Sequence, residues 1–464
     1  MKREYKIITS VIPNSTIDAE FLKALHLYRK HLKADLHIYN TSLSKKEAIL
    51  QANEIEDYRT FKDLKINDSL IVKNINIRHT VVNPLTQLGF FNKCVIVPAP
   101  RLTWQTLPKQ NKSQKLPRAV YTTGTISNAE NYKHTKADIL AQELHQKNGK
   151  GFIIIEVINN KEFLARQVDW DSKNKCFYDT LDNKKIVKVT STKITGSKAS
   201  NLSLGDLHHW DLAQDAWEWT EELIASTKPE FVQLHDAVDG SAWYVNHHIQ
   251  NKQITREKST HDIKEELTAF NDFIIKTAKK FSFAKFEIIA SNHNEFFDRF
   301  AEDESRLNGI LDEYKKAIVS QDFKKIELAK NTLDVLSELL GYVKNSKNPL
   351  KEYFENRNGT SYKSVLWRNR SDSRIFKKME LLNHGDKGAN GSLGSPLQFN
   401  RVAPGQTITG HTHSPMRTVW GNFINGTLSN LNPDYCDPSG FSSWLHCHTI
   451  QFENGKCQSL VFIK

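Results

Sequence analysis

The sequence predicts an α/β protein, more narrowly α+β: helices flank β-sheets, an α/β domain opens the chain, and a helical hairpin is inserted late in it. Three observations carry this reading. Up to about residue 200, apolar β-like runs alternate with stretches whose apolar residues recur at helical spacing. From residue 201 the order strand, short polar turn, helix repeats, as expected of a sheet that carries functional residues at strand carboxyl ends. Residues 303–345 then hold two helical stretches with no β run between them.

In chain order, YKIITSVI reads as a strand, DAEFLKALHLYRKHLK as an amphipathic helix and ADLHIYN as a second strand, a βαβ-type opening. KCVIVPAP and GFIIIEVI are further strands, with an amphipathic helix over 135–146 between them. A first domain, 1–200, closes here. In the second domain, 201–464, NLSLGD turns into the helix LAQDAWEWTEELIAS, and FVQLHD leads through a longer loop into HDIKEELTAFNDFIIKTAKKF. FEIIASNH follows. ESRLNGILDEYKKAIVS and FKKIELAKNTLDVLSELLGYV then form the hairpin, inserted at about 303–345, and their amphipathic spacing supports a packed pair. The last hundred residues return to short β runs, among them KMELLNHGD, QTITGHTHS, RTVWGNFING, SSWLHCHTIQF and CQSLVFIK. A length of 464 residues suits two to three domains at about 150 residues each.

Composition narrows the function classes. With 39% hydrophobic and 25% charged residues the chain is globular, not disordered or fibrous. No apolar run approaches the roughly 20 residues of a membrane span, and the amino terminus lacks a signal-peptide pattern. A cytoplasmic protein with no membrane partner is expected. The cysteines, Cys94, Cys176, Cys436, Cys447 and Cys457, are odd in number and lack CxxC spacing, which argues against disulfides and a structural zinc. A formal charge of +11 suits a polyanionic partner. Two stretches, 101–118 and 184–198, each carry five basic residues and no acidic one, so backbone-phosphate contact is an option beside the plain solvated loop. Trp104, Trp210 and Trp243 are candidate stacking surfaces, although most aromatic residues belong to the core.

The chemistry concentrates in five short signatures, each directly after an apolar β run. They are Gly205-Asp206-Leu207-His208, His235-Asp236-Ala237-Val238-Asp239, Ser291-Asn292-His293, Asn383-His384-Gly385-Asp386 and Gly410-His411-Thr412-His413. Alternating residues such as Asp206 and His208, or His411 and His413, fall on one side of an extended segment, so each pair can reach one cluster. A lone DxH or HxH is usually an ordinary surface or core pair. Five in order, all after strands, supply carboxylate, amide and imidazole ligands enough for two metal ions sharing a carboxylate.

This ordered set resembles the calcineurin-like metallophosphoesterase superfamily, whose pattern is DxH, GDxxD, GNH, a lone His and GHxH. The resemblance covers residues 201–464 and implies a four-layer calcineurin-like β-sandwich flanked by helices. It implies that Asp206, His208 and His413 hold one metal, that Asn292, His384 and His411 hold a second, and that Asp236 bridges them. His293 then matches the histidine that stabilises or protonates the leaving oxygen, with Asp239 as the carboxylate that orients it. The N and O ligand set without cysteine suits Mn²⁺, Fe or Zn over Mg²⁺ or Ca²⁺, with Mn²⁺ preferred. Asp386 is placed to accept a hydrogen bond from His384. The chain departs from the pattern at several positions: His235 stands for the glycine before the bridging aspartate, Ser291 for the glycine of GNH with Asn294 where an acid is common, and Gly240-Ser241 for the arginine of the protein-phosphatase branch.

Longer runs, HDAVDGSAWYVNHH, SNHNEFFDRF with ESRLNGILDEYKK, and VYTTGTISNAENYKHTKADILAQELHQ, are similar to the DNases of tailed phages that degrade host DNA during first-step transfer. This implies a phage- or prophage-encoded enzyme with DNA as substrate, working in the host cytoplasm, with His247 and His248 lining the nucleic-acid groove. The first 200 residues would then help to bind substrate or assemble subunits. The leading expectation is a two-metal-dependent phosphodiesterase hydrolysing DNA. The alternative is a phosphatase or cyclic-nucleotide phosphodiesterase for small phosphoesters. A non-catalytic nucleic-acid-binding scaffold is disfavoured, because binding metal alone needs neither His293 nor Asp239. The hairpin can cap the site or join copies into a homo-oligomer, and its spacing does not choose.

Overall fold

The computed structural model describes residues 3–41, 52–75, 77–85, 88, 91–111, 114–130, 136–240, 263–295, 304–343, 348–358, 362–388, 392, 406–431 and 441–463. It is a mixed, α+β architecture of four sheets and flanking helices. His247, His248, Trp243 and Cys436 lie outside the described residues.

The opening βαβ unit consists of β1 (Glu4–Val11), α1 (Ala19–Leu32) and β2 (Asp35–Asn40), with β1 and β2 parallel. The α1 start is set by Asp18, whose carboxylate accepts the Phe21 amide, and the helix ends at Lys33 in the left-handed region. Phe21, Leu22, Leu25 and Tyr28 form its buried stripe. Short strands β3 (Leu64–Lys65), β4 (Leu70–Val72), β5 (Cys94–Val97), β6 (Trp104–Leu107) and β7 (Arg118–Thr122) follow. Next come α2 (Lys136–Asn148), the hairpin β8 (Gly151–Val157) with β9 (Phe163–Asp169), and the antiparallel trio β10 (Cys176–Leu181), β11 (Lys185–Thr190) and β12 (Ile194–Gly196). Strand β8 pairs back onto β1, giving the order β2-β1-β8-β9.

The second half begins with β13 (Ala199–Ser203), α3 (Gln214–Thr227), β14 (Phe231–Leu234), α4 (Ile263–Lys280) and β15 (Lys285–Ile288). The helical stretches are α5 (Glu304–Val319), α6 (Phe323–Val343) and α7 (Pro349–Asn358), followed by β16 (Val365–Trp367). Strands β13 to β16 are parallel neighbours, and β22 (Cys447–Phe452) and β23 (Cys457–Val461) complete a six-stranded sheet ordered β16-β15-β14-β13-β22-β23. Leu202, Val232, Leu234, Phe286 and Ile288 bury its strands against Leu223, Leu267, Phe270 and Leu336 of the helices.

The remaining strands, β17 (Ile375–Phe376), β18 (Met379–Glu380), β19 (Gln406–Thr409), β20 (Met416–Arg417) and β21 (Phe423–Ile424), do not stay within the second half. Strand β20 pairs antiparallel with β6, Met416 opposite Gln105 and Arg417 opposite Trp104. The result is one ten-stranded sheet, β17-β18-β19-β21-β20-β6-β7-β5-β4-β3, built from both ends of the chain. Buried ties reinforce it: the Arg417 guanidinium forks onto Asp169 at 2.8 Å through both nitrogens, and Thr103 donates to the Arg417 carbonyl.

This sheet also decides the fate of one basic stretch. Within 101–118, Arg101 and Arg118 are buried; Arg101 donates to the carbonyls of Pro100 and His79, and Arg118 to those of Phe91 and Pro108. Trp104 is interior, stacked on Tyr121 with its indole N–H on Ser459. These residues serve the sheet, because β6 is a central strand. In 184–198, Lys184 pairs with Glu222 and Lys188 with Glu453 at the surface. Among the described residues, no helix is long and apolar enough to cross a membrane.

Candidate metal centre

Parallel pairing of β13, β14 and β15 brings three strand carboxyl ends side by side, and each is followed at once by a signature. The segments after β13 and β14 remain paired beyond the strands: the Leu207 and His208 amides donate to the carbonyls of His235 and Asp236. The Asp206 amide donates to the Gly426 carbonyl, and the Leu428 amide to that of Asp206. From the ten-stranded sheet, β19 runs into Gly410, whose amide donates to the His384 carbonyl. A β-carbon on Gly410 would lie 2.0 Å from Asp206 Oδ1, so only glycine allows this approach.

Asp206, His208, Asp236 and His413 lie together and buried, and Asp236, His384 and His411 form an adjoining group. His413 Nε2 is 3.0 Å from Asp206 Oδ2 and 3.1 Å from His208 Nε2. His208 Nε2 is 3.8 Å from Asp236 Oδ2, and His384 Nε2 is 3.1 Å from that oxygen and from Asn292 Oδ1. The His384 and His411 rings meet edge to face at 5.3 Å, and the His411 amide donates to Asp206 Oδ2 at 2.7 Å. Asp236 thus stands between two sets of nitrogens. Asn292, His293 and His411 are half-buried and form the open side of the cluster.

The side chains of the cluster are aimed by neighbours. Asp239 Oδ1 accepts the Nδ1–H of His208 at 3.0 Å, which turns Nε2 toward the cluster. The backbone carbonyl of Asp239 accepts Nδ1–H of His293 at 2.5 Å, and His293 Nε2 lies 3.9 Å from Asp236. Asp239 therefore reaches both histidines, by different atoms. Asp386 is gripped by both terminal nitrogens of Arg370, at 2.5 and 2.7 Å, and the group facing His384 Nδ1 is His235, at 3.4 Å. His448 accepts the Gly205 amide at Nδ1 and gives its Nε2–H to Thr220, which braces the turn before Asp206.

The carboxylates and imidazoles shift one another's protonation here. Burial disfavours the charged form of His208, but its bond to Asp239 and the charges of Asp236, Asp239 and Asp206 outweigh this and hold it at about 9. His384 is raised in the same way, burial being overcome chiefly by Asp236. Burial pushes the Asp236 carboxyl up, yet His384 and His293 draw it well below the usual range; Asp206 is drawn down mainly by His413 and His384 against the same penalty. Burial keeps His413, His411 and His235 low, His235 at about 4. Among the described residues, buried Asp206 Oδ1, Asp236 Oδ1 and His413 Nδ1 have no hydrogen-bond partner. Unpartnered carboxylate oxygens among converging imidazoles are what a bound cation satisfies, so the donor set fits a metal ion.

The chain is similar to protein A1 of Escherichia phage T5. The two are 25% identical over 479 aligned positions, which span 97% of this chain and 80% of the phage protein. No family model and no solved structure matches the chain.

Sequence reasoning treated His235 only as a departure from a pattern and passed over Ser203 and Asn425. Yet His235 is fully buried between Ser203 and His384. Its position directly before Asp236 was the available signal. Asn425, which holds Ser203, stands beyond β21 with no motif around it.

Proposed function

We propose that the chain is a two-metal phosphodiesterase that hydrolyses DNA. The observation that carries this is the convergence, at adjoining strand ends, of Asp206, His208, Asp236, His384, His411 and His413 around carboxylate oxygens that no proton donor among the described residues satisfies. Asp206, His208 and His413 would hold one cation, Asn292, His384 and His411 the second, and Asp236 both. The parallel β13 to β16 set and the β19 turn suit the calcineurin-like sandwich that the motifs resemble. When bound, such a pair, Mn²⁺ by preference, would supply Lewis-acid polarisation of the phosphate and an acidified water.

The protein's own groups do the rest. Asp239 orients His208 through its carboxylate and His293 through its carbonyl. With Nδ1–H fixed on that carbonyl, His293 presents Nε2 to the cluster and, when protonated there, donates to the departing oxygen. Similarity to a phage protein along almost the whole chain supports a phage or prophage origin; DNA as substrate and the host cytoplasm as the place of action rest on the resemblance of the motifs.

The test is hydrolysis of plasmid and linear DNA with Mn²⁺, using Asp236→Ala and His293→Ala as controls. Cleavage should require the metal and fall at least 100-fold in both variants; a wild type without metal-dependent cleavage refutes the reading. A smaller phosphoester is the second reading, favoured by the burial of Arg101 and Arg118, which removes them from any phosphate-binding surface. Turnover of bis-p-nitrophenyl phosphate and nucleotides, with DNA neither bound nor competing, would select it.

A further inference from the structure

Resting on the metal-centre reading, we infer that His235 is a positioning residue that orients His384 and fixes which of its nitrogens carries the proton, and so sets the strength of the second cation site. His384 presents Nε2 to Asp236 and Asn292, leaving Nδ1 on the opposite edge of the ring. A histidine that ligates a cation through Nε2 carries its proton on Nδ1, and that proton needs an acceptor in a dry interior. The facing atom is Nδ1 of His235, 3.4 Å away.

The line continues inward. His235 Nε2 lies 3.1 Å from Ser203 Oγ, Ser203 Oγ accepts from Asn425 Nδ2 at 2.8 Å, and Asn425 Oδ1 accepts from Thr449 at 2.6 Å. His235, Ser203, Asn425 and Thr449 are all buried. With a cation on His384, the chain has one consistent assignment of protons. His384 gives Nδ1–H to His235 Nδ1, and His235 gives Nε2–H to Ser203 Oγ, which accepts from Asn425 as well. Metal-bound histidines are ordinarily held by a carboxylate, a carbonyl or water. Here a neutral imidazole takes that place, anchored on β13 and β22 of the six-stranded sheet. The ring on the ten-stranded side is thereby fixed to the other sheet.

The test is Mn²⁺ titration of the full chain by calorimetry and chelator competition, with thermal melting of the metal-free protein as the control for folding. His235→Phe keeps volume without an acceptor, His235→Gln restores an acceptor, and Ser203→Ala cuts the chain one link further in. His235→Phe should still bind two ions, one of them about 10–100-fold more weakly than in wild type, with the other unchanged. His235→Gln should recover most of the loss, and Ser203→Ala should show a smaller loss in the same direction. Unchanged affinity for both ions in His235→Phe and Ser203→Ala overturns the inference. Loss of one ion at saturation in both His235 variants also overturns it, by making His235 a ligand. A wild type that binds no Mn²⁺ instead removes the metal centre itself, so the two failures are separable.

Discussion

His208, Asp236, His411 and His413 all adopt positive φ, at 41°, 40°, 78° and 57°. Non-glycine residues seldom do so, because the β-carbon crowds the backbone, at a cost of order 1 kcal/mol each. Four such residues in one cluster mean that the surrounding pairing holds these side chains in place without a cation. Gly410 allows the closest approach. Gly410→Ala sets a methyl group against Asp206, and Mn²⁺ affinity is expected to drop at least 10-fold in a calorimetric titration while the protein stays folded. Occupancy itself should be visible as stability. Mn²⁺ at about 100 times its dissociation constant should add about 2.7 kcal/mol, removable with chelator and absent in Asp236→Ala, as read by thermal melting.

At the scale of elements, α5 and α6 were legible in the sequence because their signal is local: apolar residues at helical spacing and no β run between them. The same holds for β1, α1, β2, β5 and β8. The signatures were legible too, since each stands next to its strand. What the sequence hid was the pairing of β20 with β6, for two-residue strands leave little pattern and partners far apart in the chain leave none. The inward Arg101 and Arg118 were hidden because a basic run looks alike whether it faces water or carbonyl oxygens, whereas the burial of Trp104 follows the general expectation for aromatic residues. The α5–α6 hairpin divides into a core-facing base and a bare tip. Leu336 and Leu339 are buried, whereas Val319 and Phe323 are 85% and 79% exposed. In urea denaturation, Leu336→Ala should cost about 2–5 kcal/mol, and Val319→Ser or Phe323→Ser should stay within about 0.5 kcal/mol.

For the whole molecule, two buried histidines that are not members of the cluster predict acid lability. Burial foremost holds His145 and His448 neutral, each at about 3. Both titrate near 6.5 once unfolded, so between about pH 6.5 and 3 the unfolded chain binds the extra protons. Their stabilising contribution is complete above pH 6.5 and is lost as pH falls, by up to about 1.4 kcal/mol per pH unit for each. Melting temperature should fall steeply below pH 6, and less steeply in His448→Gln. The shared sheet predicts a second global property. A fragment of residues 1–200 would expose the β6 edge and the face that Leu445, Cys447 and Val461 cover, so we propose that it aggregates when expressed alone, as size-exclusion chromatography would report.

The β6–β20 pair also sets a clock on biosynthesis. Gln105 waits for Met416, 311 residues later, and at ~5–20 residues per second that is roughly 15–60 s. Throughout that interval the nascent chain carries an open strand edge and lacks His411 and His413. Chaperone demand should therefore persist until Met416 has emerged, and any cation that the cluster binds can be taken up only after His411 and His413 have been made.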